Sequence, residues 1–221
     1  MKPIGVLTFP GTNCDEDVFK WAGHLGNEPK WISGQDHFEP KDYEALLIPG
    51  GFSYGDYLRC GALAARSPAM EDVRRFAQAG GFVLGICNGF QILCESGLLP
   101  GALVRNEGGL FRDDFVQLRV TNYFKIFPHL SDDKIVRIPI AHGEGRYTVD
   151  PQELKKLQDE GQVWLSYADN PNGSLGDIAG ISNENKNVFG LMPHPERAYQ
   201  PWMDSEDGRF FQWKLSSKNI V

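Results

Sequence analysis

The chain has 221 residues, 41% of them hydrophobic and 23% charged, with a formal net charge of −7. That length suits one large domain or two small ones and is enough for a sizeable core. The acidic balance argues against a binder of nucleic-acid phosphates, which needs a basic excess, and no run approaches the roughly 18 apolar residues of a membrane span.

Ile4–Phe9 is an apolar run closed by Pro10-Gly11, which predicts a buried strand and a turn. Asp15–Leu25 places Val18, Trp21, Ala22 and Leu25 at helical spacing, with Asp15, Glu16 and Asp17 in its first turn. Short strands are predicted at Pro29–Ser33 and at Ala45–Ile48, the second ending in Pro49-Gly50-Gly51. A helix follows over Met70–Ala79, stopped by Gly80-Gly81, then a buried strand over Phe82–Ile86 and a helix over Gly89–Glu95. The second half is richer in strands: Ala102–Arg105, Phe115–Thr121, Lys134–Ile140, Val163–Tyr167, Asp177–Ser182 and Asn187–Leu191. Helices are predicted at Pro151–Glu160 and Ser205–Ser216, and Asn170-Pro171-Asn172-Gly173 is a turn. There is no repeat, low-complexity segment or linker. Strands alternating with helices predict a single α/β domain over residues 1–221: a flavodoxin-like open sheet, mainly parallel with antiparallel additions, with helices on both faces.

Four cysteines, Cys14, Cys60, Cys87 and Cys94, show neither C-x-x-C nor metal-ligand spacing, so no metal site is expected. No secretory apolar segment precedes Ile4, and the expectation is a reduced, cytoplasmic enzyme. Cys87 stands apart. Gly85-Ile86-Cys87-Asn88-Gly89 lies between a strand and a helix, the layout of a nucleophile elbow with cysteine in place of serine. The sharp turn crowds the backbone on both sides, which gives the two glycines a steric reason. The helix that begins after Cys87 points free N–H groups and partial positive charge at the sulfur and so favours the thiolate. A buried core cysteine is the alternative for a lone residue; both glycines together with the strand–helix context favour the nucleophile.

A thiol nucleophile needs a base, and the base needs an orienting group. Met192-Pro193-His194-Pro195-Glu196-Arg197 follows an apolar run, and its two prolines fix the backbone around one histidine. In an extended segment His194 and Glu196 share a face, so the carboxylate can hold one ring nitrogen while the other faces the thiol. Gly50-Gly51 closes a strand at its carboxyl end, where α/β sheets bind ligands. Its Gly51 N–H and the Asn88 N–H are candidates for an oxyanion hole. Ala141-His142-Gly143-Glu144-Gly145-Arg146 is a third loop with ionisable groups. His24, His37 and His129 sit in ordinary polar contexts and are read as solvated.

The elbow cysteine, the Gly-Gly turn and the late His-Pro-Glu resemble those of class I (triad) glutamine amidotransferases, over nearly the whole chain. Further segments are similar to the glutaminase subunits of phosphoribosylformylglycinamidine synthase in purine synthesis. These are Phe9–Asp15, Gly50–Arg59, Cys87–Gln91, Ala141–Tyr147 and Pro193–Arg197, of which Gly50–Arg59 discriminates best. The resemblance implies that Cys87 attacks the side-chain amide of L-glutamine to form a glutamyl thioester. It implies that His194, oriented by Glu196, moves the protons, and that Gly51 and Asn88 hold the oxyanion. It places Gly50, Ser53, Gln91, His142, Gly143 and Glu144 at the glutamine. It also implies a complex, because the chain has no G-x-x-x-x-G-K-[ST] loop and no second domain. A large synthetase subunit would bind formylglycinamide ribonucleotide, ATP and magnesium and receive ammonia through a channel, a small subunit would bridge the two, and this chain would hold no cofactor. Gly108 stands where the subfamily is expected to carry serine. Two other readings share the elbow, a stand-alone cysteine hydrolase and the glutaminase of another pathway. A non-enzymatic regulator is opposed by the intact Cys87, His194 and Glu196.

Overall fold

The computed structural model describes residues 2–215. In chain order its elements are β1 (Ile4–Thr8), α1 (Asp15–His24), β2 (Pro29–Ser33), β3 (Ala45–Ile48), α2 (Pro68–Gln78), β4 (Phe82–Ile86), α3 (Asn88–Glu95), β5 (Ala102–Val104), β6 (Arg112–Val120), β7 (Ile135–His142), β8 (Arg146–Thr148), α4 (Pro151–Asp159), β9 (Val163–Tyr167), β10 (Ile178–Ser182) and β11 (Val188–Leu191). β3 and β4 have no charged residue and are buried along their whole length. Such continuous apolar strands need cover on both faces, the condition of a central parallel sheet. β7 instead alternates, with Val136, Ile138, Ile140 and His142 buried and Ile135 and Arg137 exposed, as a strand with one open face does.

One nine-stranded sheet results, in the order β2-β1-β3-β4-β11-β10-β9-β6-β7. The pairings β1–β2, β1–β3, β3–β4 and β4–β11 are parallel. The pairings β11–β10, β10–β9, β9–β6 and β6–β7 are antiparallel. The sheet is mixed, and its antiparallel additions make up half of it. From β1 the chain crosses to β2 on one side, and from β3 it crosses to β4 on the other. Right-handed crossovers then set α1 and α2 on opposite faces. The strand order reverses between β1 and β3, and the carboxyl ends at such a reversal form a binding crevice.

Two elements differ from the sequence reading. The segment Ser205–Ser216 does not form a long helix. Within its described part a 3-10 turn spans Asp207–Phe211, and Ser216 lies outside the described residues. The reason is packing. Gly208 N–H donates to Ala198 O at 2.6 Å, and beyond the turn Phe211 and Trp213 are buried while Gln212 and Lys214 are not. This period of two sends both rings into the aromatic core, Phe211 edge-on to Trp164 and Trp213 stacked on Phe82. The second is β8, a three-residue strand within the glycine-spaced loop, which pairs antiparallel with β5. It is too short to show a strand pattern of its own.

The elbow depends on how closely α3 lies on β3. A Cβ at Gly89 would fall on the Ile48 carbonyl oxygen, and one at Gly85 would stand 2.6 Å from Gly89 O. Gly89→Ala must therefore push α3 off the sheet. Overpacking of this kind costs about 1–3 kcal/mol. The variant should unfold at clearly lower urea concentration; an unchanged midpoint would show that the helix is not seated this tightly.

Candidate active site

β11 lies beside β4, parallel, with Leu191 opposite Ile86. Both strands therefore stop at the same level, and the segments that leave them emerge at one place. After β4 comes Cys87, with φ 51 and ψ −106, in a region that a side chain seldom adopts. Its N–H donates to Leu191 O at 2.8 Å, and its carbonyl accepts from Phe90 and Gln91, so the strained turn is held from both sides. The side chain is 6% exposed, and Sγ lies 3.8 Å from the Ala141 carbonyl at the end of β7.

After β11 comes His194. Its N–H donates to Pro139 O at 2.8 Å, which ties it to β7. His194 and Glu196 pair through a 3-10 turn over Pro195–Arg197 rather than through an extended segment. Nδ1 lies 2.6 Å from Glu196 Oε1, with both side chains inaccessible to solvent. Burial alone would strip the ring of a proton. The Glu196 carboxylate, and then the Cys87 and Cys14 sulfurs, outweigh it and hold the proton affinity of His194 well above the usual histidine value. Among the described residues Nε2 has no hydrogen-bond partner.

Cys14 lies in the Phe9–Asp15 segment without a role of its own in the sequence reading, yet it belongs to this cluster. It is buried, accepts from Arg197 Nη2 at 3.2 Å, and brings its sulfur within 4.8 Å of His194 and Glu196 ligand atoms. Arg197 also donates to Asp17 at 3.1 Å. Neighbouring strand ends explain the meeting: the loop after β1 runs beside the loop after β3, with Cys14 N–H donating to Gly50 O at 3.2 Å and Phe52 N–H to Gly11 O at 3.0 Å.

Gly50 and Gly51 seal the back of the site. A Cβ at Gly50 would stand 2.9 Å from His194 Cε1, 3.0 Å from Cys14 Sγ and 3.3 Å from Cys87 Cβ. Gly51 has φ +144, and a Cβ there would meet Asn13 N at 2.7 Å. Among the described residues neither the Gly51 nor the Asn88 backbone N–H donates to a protein acceptor, which leaves both donors for a ligand.

A cleft of about 350 Å³ opens in front of Cys87. Gly51, Gln91, His142, Gly143 and Glu144 line it, while Gly50, Ser53, Asn88, His194 and Glu196 are not among its lining residues. A chain of amides stiffens that wall. Asn88 Oδ1 accepts from Ser53 N–H at 3.2 Å, Asn88 Nδ2 donates to Gln91 Oε1 at 2.8 Å, and Gln91 Nε2 donates to Glu144 O at 2.6 Å. Gln91 therefore braces the 142–145 loop. The cleft is also lined by Asp56, Cys60, Arg105 and Phe111, which the sequence alone does not assign to a site. Asp56 and Glu144 are acids and Arg105 is a base, a charge set that suits a zwitterionic amino acid. The proton affinity of Asp56 is raised, chiefly by burial and further by Glu144, against a hydrogen bond with Cys60. Asp56 lies in the Gly50–Arg59 segment that carries the resemblance, but nothing local assigns it or the other three to a site, since they arrive from two separate loops. Gly108, the departure from the subfamily pattern, has φ +79 and open space around it.

A larger groove of about 650 Å³ lies at the amino ends of the parallel strands, beside Lys2, Glu44 and Phe82. It lies at the opposite end of the strands from Cys87 and, among the described residues, is lined by no cysteine, serine or histidine. His24, His37 and His129 are exposed, His37 within 3.0 Å of Asp72. Among the described residues no helix is long and apolar enough to cross a membrane.

Residues 2–218 match the CobB/CobQ-like glutamine amidotransferase domain. The chain is 51% identical over 212 residues to the phosphoribosylformylglycinamidine synthase subunit PurQ of Alkaliphilus metalliredigens, covering 95% of this chain and 93% of that protein. It is 53% identical over 208 residues to the subunit of the same name from Synechococcus elongatus, covering 93% of each. Among solved structures it resembles a chain of PurLQS from Thermotoga maritima, with TM-score 0.87, 44% identity and 96% of each chain covered. Another glutamine amidotransferase from Thermotoga maritima shares the fold at 13% identity and TM-score 0.60, over 89% of this chain and 77% of that one.

The packing around Gly50 yields a prediction. Gly50→Ala inserts a methyl group between the Cys87 and His194 side chains, so the protein should fold while its thiol chemistry falls by at least about tenfold, the effect of a misplacement near 1 Å. Rates of Cys87 alkylation, with circular dichroism to confirm the fold, test this; an unchanged rate would show that the two groups do not need this close approach.

Proposed function

The chain belongs to the family of CobB/CobQ-like glutamine amidotransferase domains and, within it, to the glutaminase subunits of phosphoribosylformylglycinamidine synthase, and on that premise we propose that it hydrolyses L-glutamine through Cys87, His194 and Glu196. The observation that carries this reading is the buried His194–Glu196 pair, 2.6 Å apart, set behind a strained cysteine at the floor of a cleft. With the ring protonated, Cys87 reacts as the thiolate. Its sulfur attacks the carboxamide carbon, and the Gly51 and Asn88 N–H groups receive the developing oxyanion. As the C–N bond breaks, the proton on His194 Nε2 passes to the departing nitrogen, giving ammonia and a glutamyl thioester. Water then adds to the thioester, His194 takes its proton, and glutamate leaves with the thiolate restored. Asp56 and Glu144 face the substrate ammonium and Arg105 its carboxylate.

The ammonia goes to a synthetase subunit that uses ATP and magnesium on formylglycinamide ribonucleotide, with a small subunit bridging the two. No cofactor is assigned to this chain. The relatives named as synthase subunits and the PurLQS assembly support this organisation. So does the surface around the cleft mouth. Tyr57 and Leu58 are 75% and 85% exposed, with Phe52, Leu110 and Phe111 nearby and also exposed. Tyr54, Asp56 and Leu58 hold positive φ, so the loop that carries them is stiffly shaped to present these side chains.

The complex with its synthetase tests the division of labour. Cys87→Ala should abolish glutamine-dependent synthesis and leave the ammonia-dependent reaction intact. His194→Ala removes the proton carrier, whereas Glu196→Gln removes only its orienting charge, so Glu196→Gln should retain more glutaminase activity. Equal losses in the two variants, both folded, would reject these roles, and glutamine use by Cys87→Ala would reject the nucleophile.

A further inference from the structure

Asn106 is buried in the loop before β6, and its carboxamide makes four hydrogen bonds. Nδ2 donates to the Leu110 carbonyl at 2.9 Å and to the His142 carbonyl at 2.8 Å. Oδ1 accepts from the Gly145 N–H at 3.0 Å and lies 3.1 Å from His142 Nδ1. The orientation of the amide is fixed by these partners. A flipped amide would face two carbonyl oxygens with its own oxygen and a backbone N–H with its NH₂. Because Oδ1 is the acceptor, His142 Nδ1 must carry the hydrogen. In a neutral ring the lone pair is then on Nε2.

That nitrogen is buried and has no partner among the described residues, although His142 lines the cleft in front of Cys87. An unpaired buried acceptor is costly, which indicates that a donor meets it during turnover. Burial keeps it an acceptor, and packing keeps the ring in place. Burial, and then the charge of His194, lower the pKa of His142 to about 4. Gly145 lies flat against the ring, where a Cβ would overlap its Cε1 and Nδ1 atoms. The charged groups that share the cleft are Arg105, Glu144 and Asp56, and His194 stands behind Cys87.

We propose that Asn106 is a positioning residue that locks His142 as the Nδ1–H tautomer, so that Nε2 accepts an N–H of the bound glutamine. This rests on the glutaminase reading above. The donor is an N–H of either the α-ammonium or the carboxamide, and kinetics separate them: loss of an α-ammonium contact raises KM, whereas loss of a carboxamide contact lowers kcat.

The test uses the full chain for spectroscopy and the complex with its synthetase for kinetics. Imidazole nitrogen NMR should show His142 in the wild-type chain as the neutral Nδ1–H tautomer near pH 7. His142→Phe removes the acceptor and should lower kcat/KM for glutamine about tenfold, the effect of one hydrogen bond. His142→Gln restores an acceptor near Nε2 and should recover most of that loss. Asn106→Asp places a carboxylate on Nδ1, so it should give kcat/KM a new acid limb toward neutral pH. An Nε2–H tautomer in the wild type, equal kcat/KM in His142→Phe and wild type, or an Asn106→Asp pH profile identical to wild type would each overturn the proposal. Cys87→Ala is measured alongside: residual glutaminase in that variant would overturn the underlying reading instead. Unchanged iodoacetamide labelling of Cys87 confirms that the His142 variants keep their nucleophile.

Discussion

A carboxylate sealed against an imidazole is the contact on which the site depends. Glu196 and His194 are both inaccessible to solvent, and a charge in such a place is tolerated only if it is paired. The pair is fixed by the sheet. β4 and β11 run parallel in register, so the segments that leave them emerge at the same height: Cys87 directly after β4, and His194 beyond Met192 and Pro193 after β11, where the 3-10 turn brings Glu196 back onto the ring. Cys87 then needs no long loop to come near His194. Glycines at positions 50, 85 and 89 allow the backbone to come close enough, and the strain at Cys87 is held by hydrogen bonds on both sides.

The parts of this arrangement that are legible in the sequence are local ones. The elbow reads from five consecutive residues, because the steric demand of a strand-to-helix turn falls on the immediate neighbours of the cysteine. The fully apolar runs of β3 and β4 mark the buried centre for the same reason. His194 and Glu196 read as a pair, although the turn that joins them does not. Contacts decided by long-range pairing are not legible. Asn106 and His142 are 36 positions apart, and Asp56 and Arg105 reach the cleft from separate loops. Cys14 lies in the Phe9–Asp15 segment that carries the resemblance, but its place beside His194 is not legible there; the adjacency of β1 and β3 brings it to the ring. The segment Ser205–Ser216 reads as helix in isolation, whereas within its described part the core imposes a period of two on Phe211 and Trp213.

The cleft contains two layers of control. Its inner layer is the thiol, the imidazole and the two free backbone donors. Its outer layer is polar scaffolding, in which Asn88, Gln91 and Asn106 use their amides on other protein groups. Those amides hold the walls in place and leave the unpaired groups, His142 Nε2 and the Gly51 and Asn88 N–H, for whatever binds. Among the lining residues Phe52 and Phe111 are apolar and exposed, and Tyr57, Leu58 and Leu110 are exposed on the same loops. A site that is closed at the back and greasy at the rim suits a subunit that passes its product directly to a partner.

The central claim is that Glu196 keeps a proton on His194 in a place where burial would remove it. The most direct measurement is the titration of the His194 ring by imidazole nitrogen NMR in the folded chain. The ring should remain an imidazolium well past neutral pH. Loss of its proton at or below the ordinary histidine value of about 6.5 would show that burial wins, and that Cys87 does not face a charged partner.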